Sequence, residues 1–212
     1  MGVHCCHNEH EEKPKVDGRY RKILFWALLI NGVMFAVELL SGLQAGSVSL
    51  LADSLDFLGD AANYGISLWV LGMGLAVRAK ASLLKAFSMG AFGVWVLATT
   101  AWNAMAGTIP EAATMGVIGA LALVANLGVA AMLYAYREGD SNMRSVWLCT
   151  RNDALSNIAV MLAALGVFGS GTAWPDLIVA GIMACLALSA AFQVLRHARK
   201  ELRHDHDAAA EA

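Results

Sequence analysis

Long apolar stretches alternate with short polar connections along the chain, and this pattern predicts six membrane-spanning helices. Each stretch is close to or longer than the about 20 apolar residues that a helix needs to cross a bilayer. The predicted spans cover residues 23–43, 47–75, 82–104, 112–136, 145–169 and 174–195. The predicted fold class is therefore all-α, a polytopic membrane protein with six transmembrane helices.

Basic residues define the orientation of these spans. All 15 Lys and Arg lie at the two ends of the chain or around the second-to-third and fourth-to-fifth connections. Six spans place all of these regions on one side of the bilayer, whereas an odd number would scatter the charges over both sides. By the positive-inside rule, both termini are expected in the cytoplasm.

Composition agrees with a membrane class. The chain has 212 residues, of which 58% are hydrophobic and only 15% are charged, whereas soluble domains are about 25% charged.

We predict a mobile Cys/His-rich cytoplasmic tail over 1–22, a six-helix transmembrane domain over 23–196, and a short charged His-containing cytoplasmic tail over 197–212. The net charge of −2 and the lack of a basic face with interleaved aromatics give no indication of a nucleic-acid partner.

Three carboxylates interrupt the second span. Asp53, Asp56 and Asp60 are spaced by three and four residues, which places them on one face of a helix. A carboxylate at the bilayer centre costs about 2.5–3.5 kcal/mol even on a lenient insertion scale. Such a face persists only where it meets water, a cation or a proton, so we predict that this helix forms one wall of a cation site.

The fifth span carries a matching polar face. Cys149, Asp153 and Asn157 recur at steps of four residues and therefore share one side of the helix. Asp153 is the only carboxylate deep in this span. An alternative is that Asp153 pairs with neighbouring Arg151 or makes a polar contact between helices.

Two helices that each present ligands four residues apart can close a tetrahedral site between them. Zn²⁺ favours four ligands drawn from thiolate, imidazole and carboxylate groups. The residues that supply this number and this chemistry are Asp56, Asp60, Cys149 and Asp153.

Other polar residues are expected to orient these ligands or to carry protons. This supporting set comprises Asp53, Asn63, Asn157 and Glu38. A group that hydrogen-bonds a metal ligand holds it in orientation. Glu38 lies near the outer end of the first span, where partial solvation would explain its presence.

The N-terminal segment is a candidate for metal capture. His4, Cys5, Cys6, His7 and His10 lie within seven residues, and short Cys/His-rich tracts suggest metal binding. The adjacent pair Cys5 and Cys6 lacks Cys-x-x-Cys spacing, which argues against a rigid zinc finger. The alternative is an incidental tail.

The two polar helices together resemble the cation diffusion facilitator family, which exports divalent metals in exchange for protons. SLLADSLDFLGD resembles the family's second-helix signature, and CTRND resembles its fifth-helix signature, over a match that covers residues 20–196. The resemblance places the metal ligands on Asp56, Asp60, Cys149 and Asp153. Further positions that resemble the family's are Asn31, Glu38, Gly42 and Asn126.

The resemblance implies a secondary active transporter, a metal/proton antiporter rather than an enzyme. It implies Zn²⁺ as the transported substrate, with Cd²⁺ or Co²⁺ as alternatives, no organic cofactor, and a homodimer in contact with membrane lipid. The expected location is a bacterial inner (plasma) membrane.

Two features depart from the family pattern. Cys149 stands where the family usually has His or Asp; a soft thiolate favours Zn²⁺ and Cd²⁺ over Mn²⁺, although Cys149 is alternatively a small buried apolar residue. About 16 residues follow the sixth span, too few for a folded domain. We therefore expect this chain to lack the cytoplasmic domain through which the family dimerises.

Three other functions remain open on the sequence alone. A passive metal channel or a non-transporting membrane metal sensor would use the same ligands without proton coupling. An intramembrane aspartyl protease also places carboxylates on two helices, and LGDA loosely resembles its Gly-x-Gly-Asp motif. Proton movement driven by metal distinguishes the antiporter from all three.

Overall fold

The computed structural model describes residues 18–69, 75–134 and 141–210, with their side chains except at 75–79, 141–152, 197 and 199–210. The helices are α1 (Gly18–Ala45), α2 (Val48–Trp69), α3 (Leu75–Ala106), α4 (Ala112–Leu133), α5 (Ser141–Ser170) and α6 (Trp174–Ala210). These described ranges contain no strand, so the predicted all-α class is confirmed. Every helix except α2 contains a segment long and apolar enough to cross a membrane.

The outer surface of the bundle is apolar. Large side chains such as Phe168, Met105 and Phe87 are 82%, 78% and 75% exposed. Soluble proteins rarely expose extended apolar patches, whereas a bilayer solvates them. The exposed surface and the apolar helices identify an integral membrane protein.

The acidic helix α2 lies at the centre of the helix packing. α1 packs on α2, α4 on α5 and α3 on α6, and α2 also contacts α3, α5 and α6. The first half of α2 is buried, with Leu50, Leu51 and Leu55 packed in one apolar cluster with Val160 of α5 and Ala184 of α6. The helix least suited to lipid is therefore covered by protein.

The described helices extend some of the predicted spans. α3 begins at Leu75, whereas its predicted span begins at residue 82. The description of α2 stops at Trp69, so the predicted end of the second span is not tested. The sixth membrane-spanning segment, Trp174–Arg196, agrees with the predicted span 174–195. α6 continues beyond it to Ala210, through residues that are rich in Ala, Glu, Arg and Lys and include neither Gly nor Pro.

Tight turns join the helices at one end of the bundle, here called the loop end, which comprises the connections around residues 46–47, 107–111 and 171–173. Gly46 has a positive φ of 66°, which Gly adopts without strain, and the N–H of Ser47 donates to the carbonyl oxygen of Gly42 at 3.0 Å. A Cβ atom on Gly42 would lie 2.9 Å from Leu51 Cδ2. α1 and α2 therefore approach closely at the loop end. The opposite end, near which the Lys and Arg lie, is called the basic end.

A carboxylate from α6 caps α2 at the loop end. Asp176 is 1% exposed and accepts hydrogen bonds from Ser47 Oγ at 2.8 Å, Val48 N–H at 2.9 Å and Ser49 N–H at 3.0 Å. An anion at a helix N-terminus also interacts favourably with the helix dipole. Asp176 therefore joins the starts of α2 and α6.

Asp176→Ala is expected to lower the free energy of unfolding by about 2–3 kcal/mol, because three buried donors lose their acceptor. Asp176→Asn keeps one acceptor oxygen and should lose less. The control is Thr114→Ala, which removes an exposed hydrogen bond to Glu111 at 2.9 Å and should change stability by no more than about 0.5 kcal/mol. Denaturation of the detergent-solubilised protein measures these effects, and equal stabilities of Asp176→Ala and Thr114→Ala would contradict the role of the cap.

Candidate metal site

Asp56 and Asp60 lie where α2 faces α5. Asp60 is buried, and one of its carboxylate oxygens accepts a hydrogen bond from Tyr64 Oη at 2.9 Å. Asp56 is partly exposed and lies close to Ser156 of α5. The acidic face of α2 is thus in contact with the helix that carries the other two predicted ligands.

Asp153 lies on α5 three residues before Ser156 and is half-buried, so it is close to one helical turn from the Asp56 contact. Among the side chains that the structure describes, no three His, Cys, Asp or Glu groups lie close enough to hold one ion together. The Cys149 side chain lies outside the described set. The four-ligand arrangement of Asp56, Asp60, Cys149 and Asp153 therefore stays a prediction.

Asn63 contacts a buried cation. Its Oδ1 accepts a hydrogen bond from Lys85 Nζ of α3, and Lys85 is only 7% exposed. Lys85 lies within the predicted third span, and the structure places it within α3, ten residues after the helix begins. Asn63 lies nearly one turn beyond Asp60 toward the basic end, so the ammonium group brings positive charge to the basic-end side of the aspartates.

Three members of the predicted supporting set are fully buried without hydrogen-bond partners. Glu38, Asp53 and Asn157 are each 0% exposed, and in the described part of the chain their side-chain oxygens and the Asn157 nitrogen have no hydrogen bond. The predicted partial solvation of Glu38 was wrong, because its side chain is fully buried. The Glu38 and Asp53 carboxyl groups lie close to each other.

The proposed N-terminal capture residues lie outside the described residues. These are His4, Cys5, Cys6, His7 and His10. Their role stays a prediction.

Sequence reasoning missed the hydroxyl partners of the aspartates. Tyr64 follows Asp60 by four residues, and Ser156 follows Asp153 by three. Helical spacing places each hydroxyl beside an acidic residue of its own helix. This signal was enough to find Tyr64 as the partner of Asp60, and it marks Ser156 as a polar residue on the same side of α5 as Asp153. Asp176 could not be found in this way, because its partners are 127 to 129 residues away in the chain.

Comparison with known proteins identifies the family. Residues 24–203 match the family model described as "Cation efflux transmembrane domain". The chain belongs to the cation efflux family. The resemblance to cation diffusion facilitators is confirmed, and since the related proteins are cation transporters, the intramembrane aspartyl protease hypothesis is set aside.

Two bacterial relatives of this cation efflux protein illustrate the family. The chain is similar to a protein named zinc transporter ZitB of Pectobacterium atrosepticum, with 24% identity over 208 residues that cover 91% of this chain and 64% of the relative. It is also similar to a protein named cadmium, cobalt and zinc/H(+)-K(+) antiporter of Bacillus subtilis, with 26% identity over 199 residues that cover 85% of this chain and 62% of the relative. The chain thus spans just under two thirds of the length of each.

Ser156→Ala is expected to weaken Zn²⁺ binding at the predicted site about tenfold, because a hydroxyl close to Asp56 is lost. Ser156→Thr keeps the hydroxyl and should retain most of the affinity. The control is Ser54→Ala, which removes a hydroxyl that donates to the Leu51 carbonyl oxygen of its own helix at 2.7 Å. Calorimetric titration of the solubilised protein gives the three Kd values, and an unchanged Kd for Ser156→Ala would rule out this contact as a support for the site.

Proposed function

We propose that this cation efflux protein exports a divalent cation, with Zn²⁺ as the preferred substrate and Cd²⁺ or Co²⁺ as further substrates, in exchange for protons. The observation that carries the proposal is the direct packing of α2, which carries Asp56 and Asp60, against α5, which carries Cys149 and Asp153. It joins the two helices that hold all four predicted ligands. Carboxylates and thiolates bind metals in their deprotonated forms, so cation binding releases protons and protonation releases the cation.

The ligand set supports this choice of substrate. Asp56 and Asp60 would approach the cation from α2, and Cys149 and Asp153 would approach it from α5. Zn²⁺ accepts this mixture of oxygen and sulfur in tetrahedral geometry, and the thiolate disfavours Mn²⁺. Zinc, cadmium and cobalt are the metals in the names of the two relatives.

Uneven coverage of α2 supports uptake from the basic end. Residues 47–55 are all buried, whereas residues 61–63 and 65–68 are only half-buried. By the positive-inside rule the basic end is cytoplasmic. The cation would therefore reach the aspartates from the cytoplasm while the loop end is closed, as expected for an exporter in a bacterial inner membrane. A homodimer, which the family resemblance implies, belongs to the same proposal.

Asp153→Ala is expected to abolish Zn²⁺-driven proton movement in proteoliposomes, because it removes the carboxylate that α5 contributes. Glu111→Gln is the matched control, since Glu111 is exposed at the loop end and should leave transport unchanged. A pH-sensitive dye and a Zn²⁺-sensitive dye, each enclosed in the vesicles, follow the two fluxes separately. Wild-type rates in Asp153→Ala would refute the site, and Zn²⁺ flux without proton movement in the wild type would make the protein a passive channel.

Cys149→Ser and Cys149→His distinguish a ligand from a packing residue. If Cys149 is a ligand, the serine variant should lose Cd²⁺ transport by at least about tenfold and lose Co²⁺ transport less, because only the soft thiolate favours Cd²⁺. The histidine variant should keep Zn²⁺ transport, because imidazole is a common zinc ligand. Initial rates for Zn²⁺, Cd²⁺ and Co²⁺ in proteoliposomes measure this, and an equal effect of Cys149→Ser on all three ions would mean that Cys149 only fills space.

A further inference from the structure

Glu38 of α1 and Asp53 of α2 form an isolated pair of buried carboxyl groups. Both side chains are 0% exposed, and within the described residues no hydrogen-bond partner reaches any of their four oxygens. The two carboxyl groups come from different helices and lie close to each other.

The other buried acids described at the helix contacts differ from this pair because each has a donor. Asp60 accepts from Tyr64, and Asp176 accepts from one hydroxyl and two backbone N–H groups. A carboxyl group that served only to hold two helices together would need such a donor, because buried polar groups are hydrogen-bonded in stable structures. Since no other described residue donates to Glu38 or Asp53, either a bound cation or a proton shared between the two carboxyl groups must satisfy them.

A third buried side chain without a hydrogen bond lies on α5. Asn157 of α5 is 0% exposed, and neither its amide oxygen nor its amide nitrogen has a partner in the described part of the chain. It directly follows Ser156, the residue that reaches Asp56. Unsatisfied polar groups from α1, α2 and α5 thus lie immediately on the loop-end side of the proposed metal site.

We propose that Glu38 and Asp53 form a second divalent-cation site, through which the exported ion passes between the Asp56 site and the loop end. Asp53 precedes Asp56 by three residues, which is about 4.5 Å along the helix axis. An ion could therefore move between the two sites in a single short step. This inference rests on the proposed function for its direction of travel, but the existence of the site does not depend on transport.

The ligand chemistry of this outer site suits release. Glu38 and Asp53 provide oxygen atoms only, whereas the inner set includes the Cys149 thiolate. Oxygen ligands hold soft or borderline ions such as Cd²⁺ and Zn²⁺ less selectively than sulfur does. A cation would thus pass from a tighter sulfur-containing site to a weaker oxygen site before it leaves.

Titration of the full-length chain with Co²⁺ tests the outer site. All variants carry Cys5→Ser, Cys6→Ser, His4→Ala, His7→Ala and His10→Ala, so that the N-terminal thiols and imidazoles contribute neither to the spectrum nor to weak Co²⁺ binding. We expect Glu38→Gln and Asp53→Asn each to lose one weakly bound Co²⁺ equivalent while the thiolate-to-cobalt charge-transfer band of the inner site persists. Asp60→Asn should show the reverse, with loss of that band and retention of the weaker equivalent.

Glu111→Gln, an exposed carboxylate at the loop end, is the control and should bind as the wild type does. Glu38→Asp keeps the carboxylate and should retain the weak equivalent, which distinguishes binding from a structural role. If the amide variants do not fold, the wild-type titration decides by itself. The outer site requires one weakly bound Co²⁺ equivalent whose binding does not increase the charge-transfer band. Coincident isotherms for Glu38→Gln, Asp53→Asn and Glu111→Gln, or a wild type without the weak equivalent, would overturn the inference.

Transport assays separate this inference from the proposed function. If the wild type does not move Zn²⁺, the proposed function fails, yet loss of a Co²⁺ equivalent in Glu38→Gln would still establish the outer site. If the wild type transports, Glu38→Gln should lower the maximal rate at least about tenfold. The Zn²⁺ concentration for half-maximal rate should change little, because uptake uses the inner ligands.

Discussion

A carboxylate inside an apolar helix bundle requires a hydrogen-bond donor, a cation or a proton, and this constraint organises the whole protein. α2 carries three aspartates within 22 residues, and it is the helix that contacts α1, α3, α5 and α6. Protein rather than lipid therefore surrounds the acids. Burial of these acids thus depends on the central position of α2 in the helix packing.

The two ends of the bundle meet this requirement differently. At the loop end, Asp176 caps α2, and Glu38 and Asp53 are fully buried. Toward the basic end, Asp56 and the residues after Asp60 are only partly covered. The proposed direction of transport rests on this difference between the two ends.

Local patterns in the sequence were enough to predict the six helices and the acidic face of α2. These features depend on helical period and on apolar length, which neighbouring residues determine. The helical continuation of α6 to Ala210 depends on weaker propensity signals. The Asp176 cap, the contact between Lys85 and Asn63, and the full burial of Glu38 arise from helices that meet in three dimensions, so no local pattern could reveal them.

A structure of the full chain with Zn²⁺ tests the central claim most directly, because anomalous scattering locates the ion independently of any mutation. The account predicts Zn²⁺ between α2 and α5, with oxygens of Asp56, Asp60 and Asp153 at about 2.0–2.2 Å and the Cys149 sulfur at about 2.3 Å. An ion bound elsewhere, with Asp56 and Asp153 on opposite sides of the bundle, would contradict it.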